Sequence, residues 1–183
     1  GLQLTQPANV IFITSALPAE GKTFVSLNLA LSLAGELDKS VLLIDGDAAK
    51  GDLSRWLGIH GEPGLVDLLN EGRRDPESAV IATNVKRLAV MSCGKRLDNL
   101  DELYASAVMR DDFRTLALQD PNRIIGVDGP PLVATTEAAV LADLMGQTVV
   151  VVEANKTPQS ALEQAVEQLH GSQPVSYTHL TLP

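Results

Sequence analysis

Cysteine is almost missing: Cys93 stands alone in 183 residues. No disulfide can close within the chain, and a reducing compartment is the natural setting. Cys93 itself reads as a small buried residue rather than a nucleophile. Basic charge is scarce too. The 14 Lys and Arg face 23 Asp and Glu, a net charge of −9. That excludes a general nucleic-acid binder, whose affinity rests on cations that neutralise phosphates. If a nucleotide binds, local geometry and a metal must hold it, not the global field. No apolar run reaches the length of a membrane span, and no signal peptide is visible. Internal repeats and low-complexity tracts are lacking as well. What remains is 45% apolar and 20% charged, the composition of one globular domain with a sizeable core.

Apolar runs alternate with helical spacing along the chain. Val10 to Thr14, Val41 to Ile44, Arg87 to Ser92, Arg123 to Val127 and Gln147 to Glu153 read as strands. Several are apolar throughout, as strands buried on both faces of a parallel sheet are. Thr23 to Glu36 reads as a helix with little polar face and so largely buried, with Gly35 near its end. Asp52 to Leu57, capped by Asp52, and Gly64 to Asn70 read as short helices, and Pro76 to Thr83 as another. Arg73 and Arg74 read as exposed loop, and Trp56, the one tryptophan, as packing that layer. Asp98 to Leu118 carries helical spacing, stopped by Asp120-Pro121. Thr135 to Met145 reads as a helix stopped by Gly146, and Thr157-Pro158 opens a last helix that ends near His170-Gly171. The fold class expected is α/β, with a mainly parallel sheet and helices on both faces. Residues 1–170 form the domain, and 171–183 read as an irregular tail, foreign or disordered.

Three apolar strands end in polar chemistry. The first runs into Ser15-Ala16-Leu17-Pro18-Ala19-Glu20-Gly21-Lys22-Thr23, the strand, tight loop and helix of a phosphate-binding loop. Backbone N–H groups at such a loop and helix start face a phosphate, and the helix dipole adds positive charge. Lys22 offers a point charge for the β- and γ-phosphates, and Thr23 a hydroxyl for Mg²⁺. Ala16 stands where the full pattern asks for glycine, and its Cβ would resent a left-handed backbone. The second strand ends in Asp45-Gly46-Asp47 and the fourth in Asp128-Gly129-Pro130-Pro131. On a parallel sheet these carboxyl ends share one edge, so a lysine, a hydroxyl and carboxylates converge. That is what Mg²⁺-nucleotide chemistry requires, because phosphoryl transfer needs positioning and charge neutralisation above all.

With these three motifs the chain resembles the bacterial protein-tyrosine kinases, especially the exopolysaccharide-associated tyrosine autokinases of exosortase systems. Ser15 to Thr23 with Asn28-Leu29-Ala30 looks like their P-loop, Val41 to Asp47 like their Walker A′, and Ile124 to Pro131 like their Walker B. Glu137-Ala138-Ala139, Asp143 and Val149 to Glu153 also fit. The resemblance covers about residues 8 to 170. It implies a P-loop NTPase-like three-layer fold and an ATP- and Mg²⁺-dependent kinase acting on tyrosines of itself or of neighbouring subunits. By position, Ala16, Leu17, Pro18, Ala19, Glu20, Gly21, Lys22 and Thr23 hold the nucleotide. Thr23, Asp47 and Asp128 hold the metal. Lys22, Asp45 and Asp47 carry catalysis, with Asp45 the base or aligner for the tyrosine hydroxyl. The implied partner is a membrane chain-length regulator of polysaccharide export. The chain would then be cytoplasmic, peripheral to the inner membrane through that partner, and capable of self-association.

Departures sit beside the likeness. Ala19 replaces a frequent glycine, and Ala49 a usual arginine, with Lys50 or Arg55 nearby to serve instead. Relative to the family the chain reads as truncated at both ends, lacking the assembly helix, the final strand and the tyrosine-rich tail. Tyr104 and Tyr177 are its tyrosines. Two other readings follow. One is a partitioning or positioning ATPase switch, whose second signature lysine would fall at Leu17. The other is a non-catalytic, nucleotide-binding regulator of polysaccharide export.

Overall fold

The computed structural model describes residues 7–71, 75–95, 97 and 100–169. The expected tail over 171–183, the helix end at His170-Gly171, the exposed loop at Arg73 and Arg74, and Tyr177 lie outside them.

In chain order the elements are β1 (Val10–Ser15), α1 (Lys22–Ala34), β2 (Ser40–Asp45), α2 (Asp52–Trp56) and α3 (Leu65–Glu71). After a 3-10 turn (Pro76–Ala79) come β3 (Ile81–Ala82), β4 (Leu88–Met91), α4 (Leu100–Tyr104) and α5 (Ala107–Gln119). The chain closes with β5 (Arg123–Asp128), α6 (Glu137–Ala142), β6 (Gln147–Val151) and α7 (Gln159–Leu169). The strands form one sheet in the order β3-β4-β2-β5-β1-β6. All neighbours are parallel except β3 with β4. This is the mainly parallel sheet that the alternation of apolar strands and helices implied, and the three-layer P-loop NTPase-like fold that the resemblance implied.

The period-2 geometry of a strand divides β2 between two cores. Val41 and Leu43 point to the layer holding Ala30 and Ala34 of α1 with Leu53, Leu88 and Val90. Leu42 and Ile44 point to the other layer, where Tyr104, Met109, Phe113 and Leu116 pack with Leu141 and Leu169. Each such fully buried aliphatic side chain contributes about 1.5–3 kcal/mol, which is why the strands can dispense with polar residues until their carboxyl ends. Register then brings those ends together: Asp45 lies beside Asp128, Ile13 beside Asp128, and Ser15 beside Val151.

Four local expectations need correction. Pro76 to Thr83 is a 3-10 turn followed by the antiparallel edge strand β3 rather than a helix; Asp75 caps the turn by accepting from the Glu77 N–H at 3.1 Å. The helical spacing over Asp98 to Leu118 hides a break, because Ser106 caps a new helix by accepting from the Met109 N–H at 3.2 Å. Helix α1 is apolar all round yet lies on an outer layer, so Phe24 and Leu31 stay 48% and 40% exposed. Trp56 does not pack the layer beneath it; it is 59% exposed. Cys93 is buried, as expected of a small apolar residue.

Candidate functional site

The loop between β1 and α1 is held by its own side chains. The Ser15 hydroxyl donates to the Leu17 carbonyl at 2.7 Å, and the Leu17 N–H donates to Glu20 Oε2 at 2.7 Å. Ala19 (φ 66°) and Gly21 (φ 85°) both take the left-handed conformation. The strain in this loop therefore falls on Ala19, not on the buried Ala16. A left-handed non-glycine residue costs roughly 1–2 kcal/mol, so the loop keeps this shape against an intrinsic preference. Such turns aim successive N–H groups into one concavity suited to anions. Gly21 heads α1, and no side chain caps that helix start. The first-turn N–H groups thus keep their capacity for a phosphate.

Lys22 and Thr23 follow at once, both nearly fully buried. Lys22 Nζ sits 3.2 Å from Asp47 Oδ2, a buried ion pair. Asp47 is placed by the turn after β2: its N–H donates to Asp45 Oδ1 at 3.1 Å, and it receives the Lys50 N–H at 3.2 Å. Asp45 is completely buried. Its Oδ2 accepts from both the N–H (2.8 Å) and the hydroxyl (2.6 Å) of Ser54 at the start of α2. Burial raises the Asp45 pKa, the Ser54 and Asp47 hydrogen bonds oppose it, and the Asp47 charge adds to it. Gly46 is wedged between these aspartates. Its N–H donates to the Asp128 carbonyl at 2.8 Å, and a Cβ there would lie 2.7 Å from Val127 Cγ1. Its carbonyl accepts from the Tyr104 hydroxyl at 3.1 Å.

Asp128 closes the site from β5. Its Oδ1 accepts from the Ser26 hydroxyl at 2.9 Å, whereas its Oδ2 is buried with no hydrogen-bond partner. Burial pushes its pKa up to about 6, against the pull of the Lys22 charge and of the Thr23 and Ser26 hydroxyls. The next residues line the loop's base: the Leu132 and Val133 N–H groups donate to the Ser15 and Ala16 carbonyls at 2.8 and 3.1 Å. A buried carboxylate oxygen without a partner, beside a hydroxyl and a second acid, suits a hard oxygen-seeking cation. Among the described residues no cluster of His, Cys, Asp or Glu could hold a metal unaided. A cation at Asp128 would complete its oxygen shell with hydroxyls, water or a bound phosphate, as Mg²⁺ in nucleotide sites does.

The expected residues Lys22, Thr23, Asp45, Asp47 and Asp128 thus surround one sheet edge, with the loop Ala16 to Gly21 beside them. Of the stand-ins for the missing arginine at Ala49, Arg55 pairs with Asp52 at the surface and Lys50 is exposed. Asp52 is engaged by that pair and does not cap α2. Thr157 caps no helix either: its hydroxyl accepts from the Glu153 N–H at 2.9 Å and donates to Glu20 Oε1. Reading the sequence missed Ser26, Ser54, Tyr104 and Thr157. Only Ser26 had a usable signal, four residues after Lys22 and so one turn along the same helix face.

No family model matches the chain. Among curated proteins, the tyrosine-protein kinase ptk of Acinetobacter johnsonii is 35% identical over 157 residues, covering 85% of this chain and 21% of that protein. The tyrosine-protein kinase CpsD of Streptococcus agalactiae is 32% identical over 164 residues, covering 89% of this chain and 70% of that protein. The chain spans about a fifth of the length of several relatives it matches. Among solved structures, the VpsO kinase domain superposes with a TM-score of 0.81 at 31% identity, covering 98% of this chain and 88% of that one.

Proposed function

The chain belongs to the bacterial tyrosine-protein kinases, and from that premise we propose that it transfers the γ-phosphoryl group of ATP to tyrosine. The transfer serves exopolysaccharide synthesis and export, alongside a membrane chain-length regulator. The observation that supports this best is the meeting of Lys22, Asp47 and the unpartnered Asp128 oxygen at one sheet edge.

In this reading Lys22 leaves Asp47 and turns to the triphosphate held by the Ala16 to Thr23 loop. Thr23, Asp47 and Asp128 would hold Mg²⁺, and the ion would supply counter-charge to the phosphates. Asp45 is the aligner. Its oxygens accept from Ser54 and the Asp47 N–H, so it fixes the turn that presents Asp47. Phosphoryl transfer asks little covalent work of the protein, and alignment is the larger contribution. Tyr104, the one tyrosine among the described residues, is 1% exposed with its hydroxyl on Gly46. It braces the site and is no acceptor in this fold, so the attacking phenol comes from another chain or from outside residues 7–169.

The test is incubation with Mg-ATP and a Glu–Tyr copolymer, with and without the partner's cytoplasmic segment, read by mass spectrometry. Phosphotyrosine on the copolymer, none on Tyr104, and loss of both transfer and ATP binding in Lys22→Ala are expected. ATP binding without phosphotyrosine would favour the regulator, and ATP-dependent dimerisation with hydrolysis the positioning switch. No helix among the described residues is long and apolar enough to cross a membrane.

A further inference from the structure

Glu20 is an odd residue to bury in a loop meant for phosphate. It is 6% exposed, and its negative charge works against an incoming anion. Its carboxylate is nevertheless fully employed. One oxygen accepts from the Leu17 N–H at 2.7 Å, three residues back in the same loop, and the other from the hydroxyl of Thr157. Thr157 is in turn fixed to the residues that follow β6. Its Oγ1 accepts from the Glu153 N–H at 2.9 Å, and its own N–H donates to the Glu153 carbonyl at 3.0 Å. Strands β1 and β6 are parallel neighbours with Ser15 beside Val151, so the loop and the 152–158 connection leave the sheet side by side.

We propose that Glu20 and Thr157 form a clamp that sets the shape of the phosphate loop and thereby its affinity for nucleotide. Ala19 gives the reason one is needed. It holds a left-handed φ of 66° without being glycine, and residues 16 to 20 contain no glycine at all. A loop of glycines reaches the nest conformation without strain. This loop is kept there by hydrogen bonds across its base and to the adjacent connection. Because the Leu17 N–H is spent on Glu20 and Pro18 has none, the phosphate contacts of the loop fall to the N–H groups from Ala19 to Thr23. Glu20 and Thr157 are positioning residues that touch no reacting atom, and the inference rests on the proposed ATP site.

The test is isothermal titration of Mg-ATP into the whole chain, its variants and a Lys22→Ala control, with thermal unfolding of the nucleotide-free forms alongside. Losing one charge-assisted hydrogen bond from a preorganised loop weakens binding on the order of tenfold. Thr157→Val and Glu20→Ala are each expected to raise the Kd about that much. The double variant should go little beyond Glu20→Ala, which already removes the Thr157 hydrogen bond together with the Leu17 one. Thr157→Ser, which keeps the hydroxyl, should bind like the parent. Should Glu20→Ala not fold, the Thr157→Val and Thr157→Ser pair still decides. Thr157→Val binding as tightly as the parent, Thr157→Ser binding as weakly as Thr157→Val, or fully additive penalties would overturn the clamp while the ATP site stands. Absence of Mg-ATP binding by the parent itself would sink the site and the clamp with it.

Discussion

Asp128→Asn separates the stability of this site from its work. In the metal-free chain Asp128 is held ionised at pH 8 in a place that resists the charge, with Oδ2 buried and unpartnered and the pKa raised from 3.8 to about 6. The sign follows from proton linkage. Below pH 4 the carboxyl is protonated folded or unfolded and contributes nothing. Between about 4 and 6 the unfolded chain releases its proton and the folded chain keeps it, so stability falls as pH rises. Above 6 the loss is complete, roughly 3 kcal/mol at about 1.36 kcal/mol per pKa unit. Asparagine carries no such term. It brings amide hydrogens that lack an acceptor, a fixed cost of about 1–3 kcal/mol, but that cost is the same at every pH. The difference between variant and parent should therefore move by about 2 kcal/mol in favour of Asp128→Asn from pH 4.5 to pH 8. For a domain of this size that is a relative shift of roughly 4–8 °C in Tm. Urea unfolding of both proteins with a chelator at the two pH values measures it. Asp112 is raised in both chains and cancels; Asp45 lies beside Asp128 and its charge adds to the Asp128 shift, so its coupling moves the difference the same way. A pH-independent difference, or one moving the other way, would refute the account of Asp128 as a charge stored for a cation. The companion expectation is that Mg-ATP raises the parent's Tm by mass action and leaves Asp128→Asn nearly unmoved.

Two further substitutions probe the frame around that oxygen. Lys22→Met leaves Asp47 buried without its cation and should destabilise the chain by about 3–5 kcal/mol in urea titration; adding Asp47→Leu should restore most of that stability but no nucleotide binding. Tyr104→Phe orphans the Gly46 carbonyl and should cost about 1–3 kcal/mol of unfolding free energy. It should also raise the Mg²⁺ concentration needed for half-maximal ATP binding, since Gly46 lies between the two aspartates of its turn.

The skeleton of this site was legible because buried parallel strands announce themselves. Val41-Leu42-Leu43-Ile44 has no polar residue until Asp45, and the register that sets Asp45 beside Asp128 follows from neighbouring parallel strands. What holds the aspartates was not legible. Ser54 reaches Asp45 across nine positions, and Tyr104 reaches Gly46 across 58; neither distance has a period a sequence could display. The expectation of strain at Ala16 failed because the glycine pattern marks where a loop turns, not which of its residues turns. Left-handed φ falls at Ala19, a position where the resemblance implied glycine. Trp56 misled for a related reason. Its size argues for burial, but α2 is five residues long and buries Leu53 and Ser54, which leaves its last residue outside.

Charge explains why these parts must act together. Glu20, Asp45, Asp47 and Asp128 are all buried about the loop, and Lys22 is the buried cation among them. At the short range and reduced dielectric of such a site, like charges cost several kcal/mol, so a bare triphosphate meets an acidic wall rather than a basic cradle. The Lys22–Asp47 pair tightens the constraint, because Lys22 cannot reach a phosphate without leaving Asp47 uncompensated. On the proposed reading Asp47 and Asp128 would hold a divalent cation, which would supply the counter-charge that both the acids and the phosphates need. Lys22 itself exchanges from Asp47 to phosphate, and that exchange converts a closed, ion-paired edge into a site competent for transfer.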